Sequence, residues 1–318
     1  MLPRRPFLLG ASALAATGGA PRSSTAGGLE PLTIILDWLL NPNHAGLFAA
    51  QASGAFAAHG LDVRLVAPSD PDSPSRLVAA GQADVAVGYG SQINMITSAG
   101  LPLLRIATLI DRPLNTIMAS HRFATLAELR GRTIGYSVAG VEEAVLGVML
   151  GSAGLKPGDY TTVKVNYDMV AAMLSGRLDA ATGAYRNAEV IQIEQLGRTP
   201  SVFLPEQHGV PPYDELILVA AHSRVGDPRL RRLVAALGHG TQAVRHDPEG
   251  MWRAFARAHP ELDSPYVHRS WQVTVPLLAA DPRHLDAARY LAFERFCVQQ
   301  GIIRTRQPLD AFATELPA

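Results

Sequence analysis

The chain has 318 residues, enough for two α/β lobes of ordinary domain size plus a leader, and a 47% hydrophobic, 18% charged composition excludes a disordered or fibrous protein. Lysine plus arginine balance aspartate plus glutamate at 28 each and the arginines are scattered, so neither a net field nor a basic stripe points to nucleic acid. Cys297 is the one cysteine, which excludes an internal disulfide and a thiolate-ligated metal site; its helical setting in 292–297 reads as a buried small hydrophobe.

The N-terminus has the layout of an export signal. Arg4 and Arg5 precede Phe7-Leu8-Leu9 and the small apolar run 10–16, and a Gly/Ser/Ala-rich stretch continues to about Glu30. The paired arginines resemble a twin-arginine signal, with the general secretory route as the alternative because Pro6 is unusual in that motif. The apolar run falls far short of the ~20 residues of a membrane span. Cleavage between about 16 and 26 is expected to leave a periplasmic protein that does not span the membrane.

A β-rich run at 32–36 ends in Asp37-Trp38, a helix is expected from about 44 to 58 with Gly60 as its stop, and 62–66 alternates as the next strand. Pro68, Pro71 and Pro74 make a loop feeding a helix at 75–80. The unit Gly81-Gln82-Ala83-Asp84 with Gly88 recurs as Gly176-Arg177-Leu178-Asp179 with Gly183, each Gly and Asp displaced by the same 95 positions. Physically, the first Gly ends a helix in a left-handed turn, the Asp opens a strand, and small residues bring the backbone close to whatever lies beyond the strand's carboxyl end. Two copies point to two similar lobes facing each other.

A short helix, turn and strand span 126–136, a helix 141–152, a strand 162–165 and a helix 168–174. The strand 216–220 carries the chain back, and helical patterns follow at 228–246, 249–258, 270–278 and 284–300. The expected organisation is a leader over 1–30, one discontinuous lobe from 31–116 plus 220–318, and a second lobe over 117–219. The fold class is α/β, each lobe a mainly parallel sheet flanked by helices, with the two crossing segments as a hinge.

Against this background, Leu36-Asp37-Trp38, Asn41-Pro42-Asn43-His44, Gly54-Ala55-Phe56, Gly60-Leu61-Asp62-Val63 and Leu129-Arg130-Gly131 carry a family likeness over nearly everything after the leader. The chain resembles substrate-binding proteins of ABC importers with the type II periplasmic binding fold, in the branch related to formylaminopyrimidine binders and thiamine-pyrimidine synthases. The general part of the likeness is shared with binders of alkanesulfonates, nitrate and taurine. The Asp37-Trp38 to His44 segment and Gly183-Ala184-Tyr185 with Asn187 and Glu189 are narrower and favour pyrimidine-type ligands, riboflavin or another heteroaromatic being alternatives. The resemblance implies an ABC permease and its ATPase as partners, and a monomer. The synthase branch is an intracellular enzyme using pyridoxal phosphate, with a lysine after the first Gly-x-x-Asp strand and a cysteine cluster; here that stretch is Gly88-Tyr89-Gly90-Ser91, so no cofactor and no enzymatic activity are expected. His44 matches a histidine of that branch and does not discriminate.

Ligands collect beyond the carboxyl ends of strands in such sheets. Trp38 is placed to stack on a flat ring, and Asn41, Asn43 and His44 offer donors and acceptors to ring nitrogens and an exocyclic amine, with turn formation and capping as the competing role. Tyr89 and Ser91 follow the first repeated strand, and Tyr185, Asn187 and Glu189 the second. Glu189 is expected to accept from an aminopyrimidine. Ser137 and Glu142 lie where a strand meets a helix N-terminus; the acidic first turn, which also holds Glu143, disfavours a free anion there. Tyr213 and Glu215 are placed on the cleft rim or in a hinge turn. No catalytic triad, His-Glu-x-x-His or phosphate-loop pattern occurs, and neither catalytic nor metal-ligating residues are assigned.

Overall fold

Alternation along the strands decides the layering. In the strand Leu216–Ala221, Leu216, Leu218 and Ala220 enter one core cluster while Ile217 and Val219 enter another, so the sheet is buried on both faces. The computed structural model describes residues 28–119 and 122–317. The export signal expected at Arg4, Arg5 and 10–16 therefore lies outside the described residues.

The first sheet contains β1 (Glu30–Ile35), β2 (Leu61–Val66), β3 (Val85–Tyr89) and β4 (Leu103–Ile110); the second contains β5 (Asn115–Ala119), β6 (Thr133–Tyr136), β7 (Thr161–Lys164), β8 (Ala180–Tyr185) and β9 (Ser201–Phe203). The last strand, β10 (Leu216–Ala221), returns to the first sheet, giving orders β2-β1-β3-β10-β4 and β7-β6-β8-β5-β9. In each sheet the first three strands are parallel, and the fourth runs antiparallel to both neighbours. That fourth strand is the one lying next to a crossing segment, so the two lobes are built alike and share their hinge.

The repeated Gly-x-x-Asp units do the same job in both lobes. Gly81 and Gly176 adopt positive φ of 71° and 74°. Asp84 Oδ2 accepts the Thr33 N–H at 2.8 Å, and Asp179 Oδ2 accepts the Thr133 N–H at 2.9 Å. Each aspartate thus ties the entrance of its own strand to the neighbouring parallel strand.

Helices α1 (Ala45–Ala52), α2 (Ala55–Ala58), α3 (Pro74–Ala79) and α4 (Gly90–Ser98) accompany the first sheet, and α5 (Val141–Ser152), α6 (Met169–Leu174) and α7 (Glu189–Gln195) the second. The C-terminal part adds α8 (Pro228–His246), α9 (Pro248–Ala258), α10 (Pro265–Thr274) and α11 (Ala287–Gln299). The single helix expected over 44–58 is interrupted, because Gly54 takes φ 75° and separates α1 from α2. Among the described residues no helix is long and apolar enough to cross a membrane.

The chain changes sheet at 111–114 and again between β9 and β10, so the expected exchange points at 116/117 and 219/220 fall inside β5 and β10. The pairing of complete strands, each buried on both faces, sets these limits. The C-terminal segment 220–318 is also shared. Tyr290 of α11 packs in the first lobe, while Phe293, Phe296 and Cys297 of the same helix enter the core of the second. Cys297 is a buried small hydrophobe, its thiol pushed up to about 12 by burial and then by the Glu294 carboxylate.

Polar groups fasten the hinge. Glu215 Oε2 accepts the N–H groups of Leu114 at 2.6 Å and Asn115 at 3.0 Å, joining the two crossing segments. Beside it, Asp214 accepts from Thr108 (2.8 Å) and Tyr290 (2.9 Å) and pairs with Arg289 at 2.6 Å. These buried groups are mutually satisfied, which is what makes a polar hinge tolerable in a packed interior.

Candidate functional site

The carboxyl ends of β1, β3, β6 and β8 meet at one cavity of about 470 Å3 between the lobes. Lobe 1 supplies Asp37, Trp38, Asn41 and Asn43 beyond β1 and Tyr89 at the end of β3. Lobe 2 supplies Ser137 and Glu142 beyond β6, Gly183 and Tyr185 on β8, and Glu189 at the start of α7. Tyr266 and Val267 of α10 and Leu262 close one side.

Eight of the thirteen residues anticipated from the sequence line this cavity: Trp38, Asn41, Asn43, Tyr89, Ser137, Glu142, Tyr185 and Glu189. The other five stand behind it or in the hinge. His44 is fully buried; its Nδ1 accepts the Asn41 N–H at 3.2 Å, which leaves Nε2–H to donate to Asp37 Oδ1 at 2.7 Å. His44 thus orients Asp37, and Asp37 is the group that faces the ligand space. Ser91 is buried on α4 and is not among the lining residues. Tyr213 is in the hinge core with its ring 5.2 Å from Phe293, and Glu215 is committed to the crossing segments. Asn187 is buried in a contact between lobes, described below.

The capping role weighed for Asn43 falls instead to Asn41, whose Oδ1 accepts the Asn43 N–H at 2.9 Å. Several lining residues carried no sequence signal. Tyr167 and Asp168 sit in a 3-10 turn before α6, and Leu262, Tyr266 and Gln192 arrive from segments distant in the chain. Only Asp37 had a local cue, standing next to Trp38 at the end of a strand.

The electrostatics are one-sided. Asp37, Glu142, Asp168 and Glu189 line the cavity, and among the described residues no Lys, Arg or His does. Glu142 is buried at the N-terminus of α5, where its Oε2 accepts the Ser137 N–H at 2.7 Å; burial nevertheless pushes its carboxyl up to about 8. Its space exists because residue 183 is glycine: at φ +87° a Cβ there would lie 2.3 Å from Glu142 Oε1. Glu189 Oε2 accepts the Tyr185 N–H at 2.8 Å, and burial raises its carboxyl as well. The backbone N–H of Ser137 is thus taken by a side-chain carboxylate, in keeping with the acidic first turn that disfavours a free anion there.

Direct contacts hold the lobes together on both flanks of the cavity. On one, the Trp38 ring meets Tyr167 edge-on at 4.5 Å, Tyr167 donates to Pro68 O at 2.9 Å, and Asp72 accepts the Ala139 N–H at 2.9 Å and pairs with Lys164. On the other, Asn187 Nδ2 donates to Asn43 Oδ1 and Thr274 Oγ1, each at 2.7 Å, and Ser270 donates to the Asn187 carbonyl at 2.6 Å. The arrangement is that of two jaws in contact on either side of a cavity that stays open at its lips.

Comparison with known proteins agrees with this geometry. The chain is 39% identical over 290 residues to a putative thiamine biosynthesis protein of Haemophilus influenzae, covering 90% of this chain and 92% of that one. It is 37% identical over 202 residues to the formylaminopyrimidine-binding protein of Halalkalibacterium halodurans, covering 62% and 60% respectively. At 22% identity it is similar to a 4-amino-5-hydroxymethyl-2-methylpyrimidine phosphate synthase of Legionella pneumophila, over 80% of this chain and 82% of that one. Among solved structures, the alkanesulfonate-binding protein SsuA of Xanthomonas axonopodis pv. citri superposes with a TM-score of 0.71 at 15% identity, covering 91% of this chain and all of that one. The fold is the two-lobed type II periplasmic binding fold. The family described as NMT1/THI5 like matches residues 41–251, and the chain belongs to it.

Proposed function

We propose that this protein is the solute-binding component of an ABC importer, working in the periplasm on a small amino-bearing heteroaromatic of the thiamine-pyrimidine type, with formylaminopyrimidine and hydroxymethylpyrimidine as the leading ligands. The observation that carries the reading is the cavity's chemistry: aromatic side chains from both lobes surround carboxylates with no cationic side chain among the lining residues. A ring bearing an exocyclic amine satisfies acceptors of this kind, and its flat faces suit Trp38, Tyr89 and Tyr185. A sulfonate or nitrate has no cation to meet and would face buried carboxylates. The names of two relatives point the same way, one a formylaminopyrimidine-binding protein and the other a putative thiamine biosynthesis protein.

The synthase reading of the more distant relatives lacks a suitable amine. The chain contains two lysines, Lys156 and Lys164, and neither lines the cavity; Lys164 is paired with Asp72. A Schiff base with pyridoxal phosphate needs a lysine within the site, so the residues present do not fit that cofactor.

The reading is tested by thermal shift and calorimetry of the purified protein against formylaminopyrimidine, hydroxymethylpyrimidine, nitrate and an alkanesulfonate. A bound pyrimidine at a hundred times its Kd stabilises the fold by about 2.7 kcal/mol. Stabilisation by the anions alone, or conversion of the pyrimidine to a product, would overturn it.

A further inference from the structure

The carboxylates of the cavity form two separate poles, and the separation says something about the guest's length. Glu142 abuts Gly183, whereas Glu189 is bonded at the Tyr185 N–H; the two anchor points lie two residues apart on β8, about 7 Å at the usual rise of a strand. The inner pole gathers Asp37, Glu142 and Tyr89 around the ends of β1, β3 and β6. Tyr89 takes its place with Asp37 and Glu142 at the inner pole, and Tyr266 with Glu189 at the outer one.

The outer pole also differs in its walls. Tyr266 neighbours Glu189, and the cavity lining also includes Leu262, Leu196 and Leu39, of which the last two are 55% and 50% exposed. Large apolar side chains left open on both lips of a cavity, beside an enclosed carboxylate and a tyrosine ring, make a place for a group that is cationic at its centre and apolar at its edges. A single substituted pyrimidine seated at the inner pole has no such group to offer.

We propose, building on the aminopyrimidine reading above, that the cavity takes a two-part guest: an amine-bearing ring at the Asp37/Glu142 pole, joined to a second, positively charged apolar group that lies between Glu189, Tyr266 and the Leu39/Leu196 lips. The chemical class is an aminopyrimidine carrying an aromatic or alkylated cationic substituent. Lobe closure then encloses both parts, and Glu189 selects for the second.

The experiment compares two probes by calorimetry on the purified protein: hydroxymethylpyrimidine, one ring with a neutral substituent, and thiamine, the same ring joined to a thiazolium cation. The expected result is at least tenfold tighter binding of thiamine. Glu189→Gln should bring that ratio below about threefold, whereas Glu142→Gln should weaken both probes and preserve the ratio. A ratio near one in the unaltered protein overturns the proposal whatever the variants do, as does a ratio that survives Glu189→Gln. If neither probe binds, the aminopyrimidine reading itself falls and the two-part guest with it.

Discussion

Asn187, on the loop after β8, reaches across the cleft and donates its side-chain amide to Asn43 of the opposite lobe at 2.7 Å. This bond exists only when the lobes are together, so it adds to the stability of the closed form without touching the guest. Asn43→Ala leaves Asn187 its other cross-lobe acceptor, Thr274, and removes one of the bonds between the lobes. A net worth of about 1 kcal/mol predicts ligand release roughly fivefold faster. Stopped-flow dissociation checks this, with little change expected in the melting temperature of the ligand-free protein.

Trp38 should report closure. Its ring meets Tyr167 across the cleft, while Trp252 and Trp271 are buried together in the first lobe's core. A ligand-dependent change in tryptophan emission is expected from the unaltered protein and should vanish in Trp38→Phe. A signal that persists in the variant would place the reporter elsewhere.

Stability should fall as pH rises through the range where Glu142 titrates. Its carboxyl is held at about 8 in the fold against an ordinary 4.5, so the folded state keeps the proton more tightly than the unfolded chain. This group's contribution is full below about pH 4.5, declines as pH rises, and is exhausted above about 8. At ~1.4 kcal/mol per unit the interval amounts to a few kcal/mol. Glu189 and Glu215 are raised in the same direction, so Glu142→Gln should flatten the melting-temperature profile between pH 5 and 8 without levelling it.

Gly183→Ala should separate folding from binding. The added Cβ would stand 2.3 Å from Glu142 Oε1 at a backbone φ of +87°, so Glu142 has to leave its place on the Ser137 N–H. Strain of about 1–2 kcal/mol leaves the protein folded. Pyrimidine affinity should drop at least tenfold, measured by calorimetry beside a circular-dichroism melt.

Much of this arrangement was legible because it is local and duplicated. The Gly-x-x-Asp repeat marks two cavity-facing strands, β3 and β8, and each aspartate turns out to grip a neighbouring strand at one threonine. Residues at or just beyond the ends of those strands, such as Tyr89, Tyr185 and Glu189, could therefore be named in advance as cavity-lining. His44 misled because a histidine near Asp37 looks the same in sequence whether it lines the cavity or orients the residue that does. Tyr167 and Tyr266 were invisible for another reason: their places depend on how α6 and α10 pack, which no short-range pattern records. β4 escaped notice because all eight of its residues are buried, leaving no polar alternation to read.

The position of β10 governs the order in which the molecule can be made. The second sheet comes from one continuous stretch, but the first has its own late strand wedged between β3 and β4, so those two present bare edges to each other until residues 216–221 emerge from the ribosome. About a hundred residues separate β4 from β10, roughly 5–20 s of synthesis. During that interval the nascent chain is most prone to stick to its copies, and a product truncated before residue 216 would remain in that condition permanently.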